Sequence, residues 1–498
     1  GGGNMLSEEY VVVRRTAAIG DVLCATVVAD RLIDLGFNVD FQSHPGMHCV
    51  LRRHPRLARV SEPGQFCHVD LDQSYERDPQ RRLKHFHTMF FEAAQRQLSA
   101  RGVELGLPLN CTPTLAMPRN EREAARSRLN AYPHPWVMVC PRSDSYNVRQ
   151  VPDGIWSDAA AKIKGTKFWI GRHPGPDNFV DLKCQHFDTV LSYLSVAQLL
   201  VTVDTGPMHV AAALGIPVVA LGQSSSPELH LSDQRDFLTI EPKLDCLNCQ
   251  TNLCPINQWT PPCQNFDPDF IAAWTNAKLS IYDSDNVSAI VAVYQPNEGT
   301  LNHCLRDVLP QVQEVIVTAE AKSTIPSGAN RDSKIRYVRK PVAGIGYGRN
   351  ANFGARNSTG KYLLFMNDDV FLDPGAVERM LVEIKKPGVG MVANLLRYPE
   401  GTIYHAGKRR TPGMRGWGHI DHRNVDCTTK EPTEMENVCM ACALVRRDVH
   451  FAIKGFDEDF FIYAEDDSYC LALRRAGWKI IFTPHSTGTH MEHQSTSK

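Results

Sequence analysis

The feature that most constrains this chain is its alternation of short β-rich runs with helical stretches. Strand signals recur as YVVVRRT, WVMVCP, KFWIG, LLVTVD, PVVALG, SAIVAVY, EVIVTAE, YLLFMND and VGMVANLL. Amphipathic stretches such as DVLCATVVADRLIDLG and IWSDAAAKIKG separate many of them. This pattern predicts an α/β protein whose parallel sheets are covered on both faces. Functional loops of such sheets gather at the carboxyl ends of strands. Several odd polar motifs of this chain lie there.

A length of 498 residues suggests about three domains. A Cys/Pro/Asn-rich segment (246–268) and a short helix, PDFIAAWTNAKLS, precede a fresh strand–loop–helix start at SAIVAVYQPN, so a boundary is expected near 278–285. MPRNEREAARSRLNAYPHPW (117–136) reads as a charged helix and a Pro-containing linker dividing the first part into two lobes. A net charge of −1 offers nucleic acid no overall basic field. Two local basic clusters, LRRHPRLAR (51–59) and RRLKH (81–85), read as solvated helix faces or as contacts for an anionic acceptor or membrane surface. No apolar run reaches the roughly 18–20 residues of a membrane span. VAAALGIPVVALG (210–222) is broken by Gly215 and Pro217. GGGN before Met5 reads as foreign to the fold, and no leader is expected. Most of the 15 cysteines stand singly in apolar runs, as Cys24, Cys140 and Cys470 do, which fits reduced thiols in a cytoplasmic protein.

In YLLFMNDDVFLD (362–373), an apolar strand stops at Asn367, Asp368 and Asp369. Adjacent carboxylates repel, and each is costly to bury unpaired. A cation between them, or exposure to water, removes the cost. Further on, Glu465, Asp466 and Asp467 head an amphipathic helix, and STGTHMEHQS supplies His490 and His493. A reaction that builds charge on a leaving phosphate is helped by a divalent cation that stabilises it. Mg²⁺ takes a few carboxylate oxygens plus the phosphates, and Mn²⁺ also accepts imidazole. A separate carboxylate must take the acceptor proton. Asp369 with His490 suits the first task and Asp466 the second. The bland alternative is a solvated turn and a helix-end charge cluster.

In the first half, RRTAAIGDVLCATVVADRL (14–32) sets Gly20 and Asp21 between a strand and a helix. The glycine allows a tight turn, and Asp21 either caps the helix or acts chemically. VTVDTGPMHVAAALGIPVVALG (201–222) ends a buried strand at Asp204. Thr205 and Gly206 then turn, and Pro207 and His209 enter the first helical turn. Backbone N–H groups, a hydroxyl and an imidazole converge there, where a diphosphate can lie. CLNCQTNLCPINQWTPPC holds Cys246, Cys249, Cys254 and Cys263, compatible with structural zinc or with plain reduced thiols.

Residues 10–277 resemble the family 9, heptosyltransferase-like glycosyltransferases of the GT-B fold, on IGDVL and DTGPMHVAAALGIPVVAL. The resemblance implies Asp21 as the base that activates the acceptor hydroxyl. It implies donor diphosphate contacts at Asp204, Thr205, Gly206, Pro207, Met208 and His209, assisted by Arg149. Two positions depart from the pattern: Val151 stands where Trp is usual, and Arg142 where Gly is common. Residues 286–495 resemble family 2 glycosyltransferases of the GT-A fold, especially rhamnosyltransferase-like and O-antigen enzymes. NDD, HMEHQS and CMACALVRRDVHFAIKGFDEDFFIYAEDDSYCLALRRAGW carry that resemblance. It implies Asp369 and His490 as metal contacts, Asp466 as general base with Glu465 beside it, and a donor site including Asn297, Glu320, Arg349, Asn350, Asn367 and Asp368. Glu320 stands where the family has Asp-Asp or Asp-Gly-Ser.

The expected organisation is a GT-B acceptor lobe over 5–125, a nucleotide-sugar lobe with the Cys-rich segment over 126–280, and a GT-A domain over 284–498. The expected activity is two inverting transfers from nucleotide-sugar donors to a bacterial surface glycan such as lipopolysaccharide, O-antigen or capsule. The acceptor is expected to be lipid-linked, bringing a cytoplasmic protein to the inner face of the membrane. The expected cofactor is Mg²⁺ or Mn²⁺ in the second half, with structural zinc or reduced thiols as the two readings of the Cys cluster. The rival readings are a first half that only binds, an acceptor that is a protein or modified nucleic acid base, and a scaffold without catalysis.

Overall fold

The short apolar runs become the strands of three main sheets. The computed structural model describes residues 9–106, 112–144, 147–413, 416–460 and 464–492. It divides into two units, Gly1–Leu279 and Ser280–Lys498. His493 lies outside the described residues.

In the first unit, β1 (Val11–Arg14), β2 (Val39–Gln42), β3 (Arg59–Ser61) and β4 (Val69–Asp70) form a parallel sheet in the order β3-β2-β1-β4. A second parallel sheet contains β5 (Trp136–Cys140), β6 (Thr166–Trp169), β7 (Val180–Asp181), β8 (Leu199–Val203), β9 (Val218–Leu221) and β10 (Phe237–Ile240). Its order is β10-β9-β8-β5-β6-β7. These strands are apolar without alternation because both faces are buried. Met138 and Leu200 enter one core, while Val137, Val139 and Val201 enter the other. The basic cluster at 51–59 is spent on ion pairs: Arg53 with Glu121 and Asp188, Arg56 with Asp34, and Arg59 with Asp40.

The second unit begins with β11 (Val287–Val293), β12 (Glu314–Ala319), β13 (Ile335–Arg339) and β14 (Tyr362–Met366), all parallel. Then come β15 (Val370–Leu372), β16 (Val389–Arg397), β17 (Ile403–His405), β18 (Lys408–Arg410), β19 (Trp417–His419), β20 (Thr433–Met435), β21 (Cys442–Arg446) and β22 (Lys479–His490). The main sheet runs β13-β12-β11-β14-β21-β16-β22-β15, and β14–β21, β21–β16 and β22–β15 are antiparallel. Tyr362, Leu364 and Met366 of β14 face one core, and Leu363 and Phe365 the other. Among the described residues no helix is long and apolar enough to cross a membrane.

Candidate functional site

In the second unit, the end of β14 carries Asn367, Asp368 and Asp369 straight into β15. β15 pairs antiparallel with the last strand, so Val370 lies opposite His490, and Met491 N–H donates to the carbonyl of Asp369 at 3.0 Å. This register sets His490 Nε2 3.1 Å from Asp369 Oδ1. Asp369 and His490 are each 4% exposed. His490 Nδ1 is buried with no hydrogen-bond partner among the described residues, and Asp369 Oδ1 is buried against His490 Nε2. A buried carboxylate and imidazole so placed are the donor set a hard or borderline divalent cation takes. Burial, and then the Asp369 charge, raise the pKa of Asp368 to about 7.

Asp466 lies in the first turn of the helix Glu465–Arg475, after Ala464, which holds a left-handed φ of 66°. A non-glycine residue in that region is backbone strain, and such strain concentrates at functional sites. Asp466 Oδ2 accepts from Met440 N–H at 2.9 Å. Burial raises its pKa against the opposing charge of Lys408, giving the more basic carboxylate that a general base needs. Burial and Asp466 raise Glu465 too, and its Oε2 has no partner among the described residues. Tyr404 joins the two groups of residues. Its ring meets His490 edge-on at 4.3 Å, its hydroxyl lies 3.7 Å from Cys439 Sγ, and Asp466 is among the charges that raise its pKa. Sequence reading placed GTIYHAG (401–407) in a strand and loop like those of family 2 but gave Tyr404 no role of its own. It also missed Tyr347, whose buried hydroxyl has no partner among the described residues and lies in the field of Asp466 and Glu465.

Several residues expected at the donor also have partners within the fold. Asn350 spends its side chain on the fold: its amide donates to the carbonyls of Thr318 and Val293, and its oxygen accepts from Thr318 Oγ1. Asn297 caps the helix Glu298–Val308, accepting from Thr300 N–H at 3.0 Å. Glu320 Oε2 takes the N–H groups of Gly344 and Ile345 and so anchors the loop before the helix Gly346–Arg356. Arg349 pairs with buried Glu458 at 3.2 Å. Polar residues near a strand end serve local capping as readily as ligand binding, and spacing alone does not separate the two. Asn367 and Asp368 stay beside Asp369.

In the first unit, Asp21 lies in the first turn of the helix Ile19–Asp34 but does not cap it. Its Oδ2 accepts from Arg15 Nη2 at 3.0 Å, and the same guanidinium reaches Glu76 at 2.8 Å. Arg15 is 0% exposed. The sequence offered no signal for it beyond one of two adjacent arginines. Arg15→Met is expected to lower stability by about 2–3 kcal/mol. That is under the ~3–5 of a fully buried pair, because both acids keep contact with water. A drop in the urea midpoint at unchanged slope checks it.

Gly20 does not make the expected turn. It sits inside the helix, where a Cβ would lie 2.5 Å from His209 Cδ2, so glycine lets the ring approach. His209 lies between Cys24 Sγ (Nδ1, 3.4 Å) and Asp204 Oδ1 (Nε2, 3.6 Å). Burial opposes its charge, but Cys24 and Asp204 outweigh burial and raise its pKa to about 10. Asp204 also accepts from Ser225 Oγ, contacts His230 Nδ1 at 2.6 Å and faces Arg149 at 3.9 Å. Burial pushes the Asp204 pKa up, yet His230, Arg149 and His209 together hold it well below the usual range. Phe86 stacks on His230 at 3.9 Å. Asp204, His209 and His230 have ligand atoms within 4.8 Å of one another. Their direct contacts make this set a hydrogen-bonded hub that braces the turn. Thr205 and Gly206 open the helix Gly206–Ala213, and Pro207 sits in its first turn. Met208 is a correction: it is 0% exposed in the core, and its N–H goes to Thr205 O.

Cys246, Cys249, Cys254 and Cys263 line one cavity of about 20 Å³, room for about one water or ion. Burial, then the other three thiols, raise the pKa of Cys263 to about 11. Among the described residues no three of these thiols come within 4.8 Å of one another. Val151 is a core residue, and Arg142 pairs with Asp153 at 3.0 Å.

Sequence comparison matches residues 288–452 to Glycosyl transferase family 2 and residues 185–260 to Glycosyltransferase family 9 (heptosyltransferase). An O-antigen biosynthesis protein, RfbC, of Myxococcus xanthus is 33% identical over 156 residues, which are 30% of this chain and 12% of that protein. The chain therefore spans about an eighth of that relative's length. An N-acetylglucosaminyl-diphospho-decaprenol L-rhamnosyltransferase of Mycobacterium tuberculosis is 26% identical over 235 residues, 45% of this chain and 72% of that enzyme. Among solved structures, ADP-heptose lps heptosyltransferase II of E. coli aligns with 55% of this chain and 100% of its own, at 14% identity and a TM-score of 0.42.

Proposed function

We propose that this chain, a fusion of a family 9 glycosyltransferase of GT-B type with a family 2 glycosyltransferase of GT-A type, performs two inverting sugar transfers onto a bacterial surface glycan. The observation that carries the reading is the buried Asp369–His490 pair, in which His490 Nδ1 has no partner among the described residues, in the unit that holds Asp466 as a base of raised pKa. In each transfer an acceptor oxygen attacks the anomeric carbon as the bond to the diphosphate breaks. The diphosphate leaves with the electron pair, and a carboxylate takes the hydroxyl proton. Asp466 is that base in the second half and Asp21 in the first. A Mg²⁺ or Mn²⁺ ion held by Asp369 and His490 would neutralise the leaving diphosphate. Arg349, Asn367 and Asp368 border the donor there. Arg149 and the turn Thr205–Gly206–Pro207 receive the other diphosphate, with Asp204 and His209 bracing the turn.

Within this reading, 5–125 is the acceptor lobe, 126–280 the nucleotide-sugar lobe and 284–498 the GT-A domain. The decaprenol-linked acceptor in the rhamnosyltransferase's name supports a lipid-linked acceptor and work at the inner membrane face. Zinc at the four thiols is supported by the single small cavity they line. A second reading, in which the first half binds without catalysing, is favoured by Arg142 and Val151 and by the inward turn of Met208.

The test is hydrolysis of a panel of UDP-, GDP-, ADP- and dTDP-sugars, with and without Mn²⁺, by wild type and Asp21→Ala. Two donor classes are expected, one needing metal and one not, with only the metal-independent one lost in Asp21→Ala. A single metal-dependent class untouched by Asp21→Ala selects the second reading. Metal analysis of the same preparation is expected to find zinc in a 1:1 ratio, and its absence removes zinc from the thiols.

A further inference from the structure

Lys408 follows the segment GTIYHAG and carries no expected role. It opens β18, and its N–H donates to the carbonyl of Asn437 at 3.1 Å in an isolated antiparallel bridge. Its side chain is 11% exposed, and Nζ lies 3.2 Å from Asp467 Oδ1. Asn437 Nδ2 donates to the same oxygen at 3.0 Å. Two cross-strand neighbours thus grip the carboxylate next in sequence to Asp466, while Met440 N–H holds Asp466 itself. A buried ammonium is costly unless charges nearby repay it. Asp466 and Asp467 are among the groups that do so, and burial of Lys408 works against its charge.

We propose that Lys408 is a positioning residue for the acid pair at the head of this helix, clamping Asp467 and supplying the positive charge that favours the ionised form of its neighbour Asp466. The inference rests on Asp466 as base. The groups facing Asp466 are Lys408 from β18, Glu465, Asp467 and Cys470 from its own helix, Cys439 from the loop before β21, Tyr404 from β17 and Tyr347 from the helix Gly346–Arg356. Among the described residues, Lys408 is the one cation in this set. Without it, Asp467, Glu465 and burial all favour the protonated form, so Asp466 would protonate at higher pH.

The experiment reads protonation without any sugar substrate. Full-length protein is coupled with a carbodiimide and glycine ethyl ester across pH 4–8, a reaction of protonated carboxyls. Modification at Asp466 is localised by fragment mass spectrometry. In Lys408→Met the half-modification pH is expected to rise by about one unit, while Lys408→Arg stays near wild type. An unmoved midpoint in a protein that melts normally overturns the proposal. Lys408→Gln replaces Lys408→Met if the latter does not fold. In parallel, the acid limb of metal-dependent donor hydrolysis is expected to move up with the labelling midpoint. A raised KM with an unmoved limb would instead assign Lys408 to substrate contact. If Asp466→Asn keeps full hydrolysis while the labelling still shifts, the base assignment fails and the clamp stands.

Discussion

Asp466→Asn is expected to lower kcat of the second unit by about 10²–10⁴-fold, the usual contribution of a positioned general base. Donor affinity should hold within a few-fold. The substitution keeps the side chain's size and its ability to accept from Met440 N–H, so the helix head should keep its place. What it removes is the proton acceptor. The pH profile gives a second reading of the same residue. Burial raises the Asp466 pKa, and the base works only when ionised. Activity should therefore rise with pH through a limb above the ordinary Asp value of about 4. That limb should vanish in Asp466→Asn. Activity within tenfold of wild type would move the role to Glu465, whose Oε2 is also buried without a partner among the described residues.

The second large effect is at the cation site. Asp369→Ala is expected to cost about 10³-fold in metal-dependent kcat/KM, roughly 4 kcal/mol of transition-state stabilisation. It should also weaken Mn²⁺ binding measured by calorimetry in the absence of donor. The strand pairing that positions His490 uses backbone groups, so the fold should tolerate the change. Unchanged Mn²⁺ affinity would show that the buried Asp369–His490 pair is structural. Donor hydrolysis that needs no metal, assigned to the first unit, should not respond.

How far each site could be read beforehand depended on whether its residues announce themselves locally. Asp369 did, because a fully apolar strand running into two carboxylates contradicts burial unless a charge or water resolves it. Asp466 did, as one of three acids at a helix start. His490 was legible as a residue, but its partnership with Asp369 follows from the antiparallel register of β15 and β22. The local work of Asn350 and Asn297 was not legible, because an amide that ties strands or caps a helix looks, in sequence, like one that binds a ligand. Met208 sat in a motif whose backbone turn matters more than that side chain. Gly20 was read as a turn residue, yet its use is to admit a histidine from the other lobe of the same unit.

The sequence alone determined the α/β class and the strand ends at which the chemistry gathers. Alternation, apolar runs and helix starts are local, and local sterics and burial decide them. Only the tertiary structure decided which charges face one another: Arg15 with Asp21 and Glu76, Asp204 with two histidines, and Lys408 with the acids at 466–467. Those pairings depend on strand order, register and packing between segments far apart in the chain. A buried charge is tolerated only where that packing brings it a partner.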